Sequence, residues 1–221
     1  MHTAKIIAVT EPLVCNDAGI FLTVEEFVAY CARVSNPSNQ MNTETSPKLL
    51  KYLMKNKHWS PFEMVSVTMD VETTRDIARQ ILRHRSFSFQ EFSQRYADPT
   101  QSQGFVTKEA RLQDPKNRQN SIEGVSSEVE DVWHRMQSNV IGEAEKAYAW
   151  AVRNGIAKEQ ARAVLPEGLT VSRLYMSGTL RSWIHYCDLR RANGTQKEHR
   201  LLADSAWREL IRKFDFLKEV G

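Results

Sequence analysis

The stretch RHRSFSFQEFSQRY, Arg83 to Tyr96, crowds three Arg, a His, a Glu, two Gln and three Ser among three Phe in fourteen residues. Guanidinium forks grip anions through paired N–H donors, and a nearby carboxylate accepts what a hydroxyl or ring N–H donates. With the backbone N–H groups of an extended segment, that set suits a phosphorylated heterocycle. Arg83 and Arg85 flank His84 where the preceding helix ends, and the helix dipole favours cations there. The dipole leaves Glu91, Ser93, Gln94 and Arg95 unexplained. Phe87, Phe89 and Phe92 alternate loosely and are expected to anchor the segment to a core.

A second cluster runs from Arg181 through His185 to Arg190 and Arg191. Arg181 and His185 are four apart and share a helix face. Arg190 lies nine residues from Arg181, about half a turn away at roughly 100° per residue. One pocket would not easily use both from the same helix, so either Arg190 reaches round from the helix end or sites of neighbouring subunits share the helix.

Other chemistries find little footing. His58, His84, His134, His185 and His199 form neither HExxH nor HxxxH, so no metal is expected. There is no GxSxG elbow, no GxGxxG and no GxxxxGK[ST]. Cys15, Cys31 and Cys187 are odd in number and have no CxxC spacing, which favours a reducing cytoplasm over a disulfide framework. The net charge of +3 is too mild to imply nucleic acid by itself. No run approaches the ~20 apolar residues that cross a bilayer. The opening MHTAKIIAVTEPLV lacks the layout of an export signal.

The elements that must position these residues follow from periodicity and caps. Lys5–Thr10 and Val65–Val71 read as strands. Thr23 and Glu26 form a capping box for a helix through about Val34, and Ser46-Pro47 opens another ending near Asn56. Thr73 or Thr74 caps a helix whose stripe is Ile77, Ala78, Ile81 and Leu82, with Gln80, Arg83 and His84 on a neighbouring face. Pro99 to about Gly124 reads as a polar surface excursion. Ser127, three residues before Glu130, starts the longest helix, with a stripe of Val129, Val132, Trp133, Met136, Val140, Ala144, Ala147, Tyr148 and Ala151 expected in the core. A short helix spans Lys158–Leu165. Thr170–Met176 is extended, and Ser177-Gly178-Thr179 turns into a helix through Arg191. Thr195 and Glu198 form a capping box for the last helix, to about Phe214. The sum is a single helix-rich α+β domain with a small sheet over residues 1–221.

Arg83-His84-Arg85, seven residues, then Ser93 resembles the RHRx7S signature of the flavin-dependent thymidylate synthases. The likeness continues in Lys57-His-Trp-Ser-Pro-Phe-Glu63, in Ser93-Gln-Arg-Tyr96, in Ala161-Arg-Ala-Val-Leu-Pro166 and in Gly178-Thr-Leu-Arg-Ser-Trp183 through Arg190, across roughly residues 20–215. The resemblance implies a homotetramer with FAD between subunits, methylating dUMP to dTMP with methylenetetrahydrofolate as carbon donor and NADPH as reductant. It implies FAD contacts from Ser60, Arg83, His84, Arg85, Glu91, Thr179, Leu180, Arg181 and His185. For dUMP it implies Gln80, Arg83, Glu91, Phe92, Ser93, Gln94, Arg95, Arg162 and Arg190. His58 would sit by flavin and folate. His185 and Thr179 stand where many relatives carry Asn.

The resemblance also rationalises the residues. Uracil C5 is a poor nucleophile, and a cation at the N3 edge, for which Arg190 is the candidate, favours electron density moving towards it. Reduced flavin carries both hydride and a one-carbon unit, so no catalytic Cys is required. Ser93 has no neighbouring base and is expected to position substrate. A second reading, a single-stranded nucleic-acid-binding protein, would use the Arg/Phe segment as a basic groove with aromatic platforms.

Overall fold

The computed structural model describes residues 1–219. In chain order the elements are β1 (Thr3–Val9), α1 (Val24–Ala32), α2 (Ser46–Lys55), β2 (Ser66–Thr74), α3 (Arg75–Ile81), β3 (Phe87–Glu91), α4 (Pro99–Ser102), β4 (Leu112–Gln113), β5 (Ser121–Ile122), α5 (Ser127–Arg153), α6 (Lys158–Ala161), β6 (Val171–Thr179), α7 (Leu180–Arg191) and α8 (Lys197–Lys213). Four strands form an antiparallel sheet in the order β1-β2-β6-β3. The helix-rich α+β architecture with a small sheet agrees with the sequence reading.

The alternation of β2 explains which face the helices cover. Val67, Met69 and Val71 are buried, whereas Asp70 and Glu72 point away. Leu174 and Met176 of β6 join the same inner face, and α7 and α8 close over it with Trp183, Ile184, Leu202, Ala206 and Leu210. Trp183 is fully buried and its indole N–H donates to Val67 O at 2.9 Å, which pins α7 to β2. On the outer face Arg173 makes a two-pronged contact with Asp70, at 2.8 and 2.6 Å.

Several local expectations shift by a residue or change meaning. The Thr23/Glu26 capping box is present with both of its hydrogen bonds. Ser46 lies inside α2, not before it, and its hydroxyl bonds Asn42 O. Thr74 precedes α3, but its hydroxyl donates to the Asp76 carboxylate instead of capping the backbone. Ser126, not Ser127, caps α5. The 99–124 excursion folds into α4 and the β4–β5 hairpin. Ser177 and Gly178 are not a turn: they pair with Thr68 and Val67, so β6 runs directly into α7 with Thr179 as its N-cap.

Gly178 has no substitute in that junction. A Cβ there would stand 2.4 Å from Cδ1 and 2.7 Å from Cε1 of Phe87. Overpacking of this kind costs typically 1–3 kcal/mol. Gly178→Ala is therefore expected to lower stability by about that amount in a urea titration, with Phe87→Leu in the same chain restoring part of it; an unchanged midpoint would contradict the packing.

Candidate functional site

Each functional side chain is delivered by an element end. Beyond α3 the chain turns tightly, with His84 N–H bonded to Ile81 O, so alternate residues of Arg83-His84-Arg85 face opposite ways. Arg83 and Arg85 are exposed, and among the described residues neither guanidinium has a partner. His84 faces inward, its ring edge-on to Tyr186 at 5.0 Å, and its Nε2 accepts from Arg190 Nε at 2.9 Å. A guanidinium only donates, so His84 is neutral and carries its proton on Nδ1. Burial, then the nearby Arg190 charge, pushes its pKa from the ordinary 6.5 to about 4.

Behind it sits His199, fully buried and pushed to about 3 by burial and then by Arg190. Its Nε2 lies 3.1 Å from the Tyr186 hydroxyl and its Nδ1 3.1 Å from Gln80 Oε1. Sequence reasoning passed over His199 except as a metal ligand. Its spacing from Leu202, Ala203 and Ala206 places it on the buried stripe of α8, a signal that a buried, hydrogen-bonded His was present. Among the described residues no group of three or more His, Cys, Asp or Glu could hold a metal ion.

Along β3 the chain carries Glu91 to the sheet edge. Glu91 Oε1 accepts from Ser172 Oγ at 3.0 Å and from the buried Arg75 at 3.5 Å. Beyond it Phe92, Ser93 and Tyr96 line a cavity of about 490 Å³ with Gln90, Arg173 and Tyr175. Ser93 Oγ accepts from Arg95 N–H at 3.3 Å. Gln94 is buried, and its Nε2 has no hydrogen-bond partner among the described residues, an unusual condition for a buried donor. Arg95 and Arg162, far apart in sequence, meet at one residue: Arg95 pairs with the Glu159 carboxylate at 3.1 Å, and Arg162 Nε donates to Glu159 O at 3.3 Å.

The other face of α7 forms a separate group. Arg181 pairs with Glu63, and His185 stands edge-on to Trp59 at 4.6 Å. Burial and then Arg181 lower the His185 pKa. Thr179 Oγ1 is committed to Ser182 N–H. Leu180 is fully buried, its N–H donates to Val65 O at 2.7 Å, and as the first residue of α7 its carbonyl belongs to the helix ladder, so it offers a ligand no free backbone group. Ser60 is exposed at the start of a 3-10 turn that buries Phe62. His58 sits at the end of α2, where Lys57 takes φ of 58° and His58 N–H reaches back to Leu53 O at 2.8 Å, a Schellman end that aims the imidazole at Tyr52. Arg181 and Arg190 thus serve different clusters, and Arg190 does not reach round the helix.

Two of the three phenylalanines of this segment are committed to packing, and nothing supports a nucleic-acid groove here. Phe87 is buried against Trp183 at 4.9 Å and Phe89 packs on the core, so the nucleic-acid reading is dropped.

Among the described residues, an unpartnered Arg83/Arg85 pair, a second Arg pair at Glu159 and an orphaned Gln94 donor supply the donor chemistry suited to anions on an α+β fold with no glycine-rich loop. The thymidylate synthase complementing protein family model matches residues 21–214. A probable flavin-dependent thymidylate synthase of Paramecium bursaria Chlorella virus 1 is 48% identical over 212 residues, 96% of this chain and 95% of that one. The flavin-dependent thymidylate synthase of Synechocystis sp. is 47% identical over 210 residues, 95% and 94% of the two chains. Among solved structures, the UMP/dUMP methylase PolB of Streptomyces cacaoi, bound with 5-Br UMP, superposes with a TM-score of 0.78 at 26% identity, covering 98% of this chain and 92% of that one. This chain belongs to the thymidylate synthase complementing protein family.

The half-buried His84 and the buried His199, both neutral, give a stability signature. Below pH 6.5 the unfolded chain takes up protons that folded His84 and His199 refuse, so stability falls as pH drops towards 4. One such proton contributes up to about 1.4 kcal/mol per pH unit. Urea unfolding between pH 7 and 5 is expected to show a shallower loss in His199→Asn than in the parent; equal slopes would mean that His199 titrates normally.

Proposed function

We infer that this protein is a flavin-dependent thymidylate synthase, methylating dUMP reductively to dTMP with methylenetetrahydrofolate as carbon donor and NADPH as reductant. The observation that carries the reading is near-end-to-end identity of 48% and 47% with a probable and a named flavin-dependent thymidylate synthase, joined to an RHRx7S segment whose Arg83 and Arg85 stand exposed with no partner among the described residues.

The side chains fit the ligands. Arg83 and Arg85 are free to take the FAD phosphates and ring edge, with Ser60, Glu91, Thr179, Arg181 and His185 completing the cofactor site across subunits. His84, neutral and donating from Nδ1, adds a hydrogen bond with no extra charge. When bound, FAD supplies the hydride and the passage of the one-carbon unit. The dUMP phosphate goes to Arg95, Arg162, Ser93 and the Gln94 donor. The exposed Arg95–Glu159 pair is worth about 0–1 kcal/mol, so a two-pronged phosphate contact displaces it readily. Gln80, Arg83, Glu91 and Phe92 hold the rest of the nucleotide.

Arg190, fixed by its bond to His84, faces the pyrimidine and stabilises negative charge as C5 becomes nucleophilic. His58 stands by flavin and folate. No protein nucleophile takes part: Cys187 is fully buried, and burial pushes its pKa up.

A homotetramer is the working assembly. Val129, Trp133, Met136 and Val140, expected in the core, are 43–57% exposed along one face of α5, and only Ala144, Tyr148 and Ala151 of the stripe are buried within the chain. Another subunit's surface is the natural cover for that face. The whole chain acts as one domain, in the cytoplasm, consistent with three free cysteines.

Tritium release from C5-labelled dUMP is expected only when methylenetetrahydrofolate and reductant are both supplied; a yellow protein that binds dUMP yet releases none would refute the reaction. Arg190→Ala should keep the flavin while turnover falls about 10²–10³-fold. Arg85→Ala should instead shed FAD on gel filtration. Sedimentation should give four times the 25.5 kDa chain mass, and Trp133→Glu should reduce it.

A further inference from the structure

Glu198 does not cap α8, as its spacing from Thr195 would suggest: Gln196 is the N-cap, and the Thr195 hydroxyl bonds Leu189 O. The carboxylate is instead buried at 6% exposure, paired with Arg111. Burial works against its charge, but hydrogen bonds from Arg111, its own backbone N–H and Gln196 outweigh it and hold the pKa at about 2. A carboxylate accepts and never donates. That fact sets the direction of every bond leading away from it.

Gln196 lies 2.9 Å from Glu198 Oε2, so the atom there must be its Nε2. Gln196 Oε1 must then accept, and it does so from Gln80 Nε2 at 2.8 Å. Gln80 therefore turns its Oε1 to His199, 3.1 Å away, which must supply an Nδ1–H. The neutral imidazole is left with a bare Nε2, and Tyr186 O–H donates to it at 3.1 Å. The line runs Tyr186, His199, Gln80, Gln196, Glu198, with all donors pointing one way. An isolated glutamine amide can flip; this one is held from both ends.

We propose that His199 and Glu198 are positioning residues that lock the Gln80 amide, so that its second Nε2–H is offered to an acceptor oxygen of the bound nucleotide. The inference rests on the reading of Gln80 as a dUMP contact. The acceptor is a phosphoryl, sugar or uracil carbonyl oxygen, and all three share the chemistry that an N–H recognises. His199 touches neither ligand nor reacting atoms; it acts through Gln80.

The test uses the full-length FAD-loaded enzyme, with dUMP binding followed by isothermal titration and turnover followed separately. His199→Leu removes the donor to Gln80 and should weaken dUMP binding roughly tenfold, the scale of one hydrogen bond. His199→Asn, whose amide N–H replaces Nδ1–H, should recover most of that loss although it fills the core no better than Leu. Glu198→Gln, which can donate as well as accept, should weaken binding several-fold by releasing the direction of the line. Adding His199→Leu to Gln80→Ala should bring no further loss, because residues acting through one group are not additive. Equal weakening by Leu and Asn, or a full additional loss in the double variant, would mean that His199 only supports the core, and would overturn the proposal. If Gln80→Ala weakens dUMP binding while His199→Leu does not, the relay alone is wrong; if neither does, the assignment of Gln80 to the nucleotide fails as well. Repeating the titrations with deoxyuridine locates the oxygen: a His199→Leu penalty that vanishes places it on the phosphate, and one that persists places it on the base or sugar.

Discussion

The contact between the Phe87 ring and the bare backbone of Gly178 holds the two halves of the site together. β3 and the segment after it carry Glu91 to Arg95, while β6 and α7 carry Thr179, His185 and Arg190. The strands can pair at that register only because position 178 has no side chain. The same ring packs edge-on to Trp183, which is tied to β2 through Val67 O. Phe87 and Phe89, interleaved with the arginines, are thus a fastening that fixes where the polar residues between them lie.

Arginines in this protein divide by partner. Arg75, Arg111 and Arg173 sit in ion pairs that build the fold, whereas Arg83 and Arg85 have no partner among the described residues. Arg190 belongs to neither group: its charge is adjacent to two histidines that burial keeps neutral, so the imidazoles add no charge beside its guanidinium. Concentrating the charge there suits a role in stabilising a developing anion, since spreading it over imidazoliums would leave its direction ill defined.

Two sequence signals were read correctly as patterns and wrongly as outcomes. The α5 stripe is helical and apolar, but periodicity reports that a face is to be covered without saying by which chain. Thr195 and Glu198 have the spacing of a capping box, yet Arg111, arriving from the hairpin region, offers Glu198 a charged partner stronger than a backbone N–H. In the Thr23/Glu26 box, where no such competitor approaches among the described residues, both capping bonds form.

Local chemistry was legible in the chain itself. Strand alternation, helix stripes, the absence of glycine-rich and metal-binding motifs, and the two separate clusters, Arg83 to Arg95 and Arg181 to Arg191, all depend on residue type and short-range spacing. The tertiary structure decided what those residues do with one another: that Arg95 and Arg162 meet at Glu159, that Arg190 turns to His84 and away from Arg181, and that His199, Gln80 and Glu198 form one directed line. Such facts belong to contacts between distant segments, where one partner excludes another by distance and hydrogen-bond valence, and neither quantity is written in a linear order of residues.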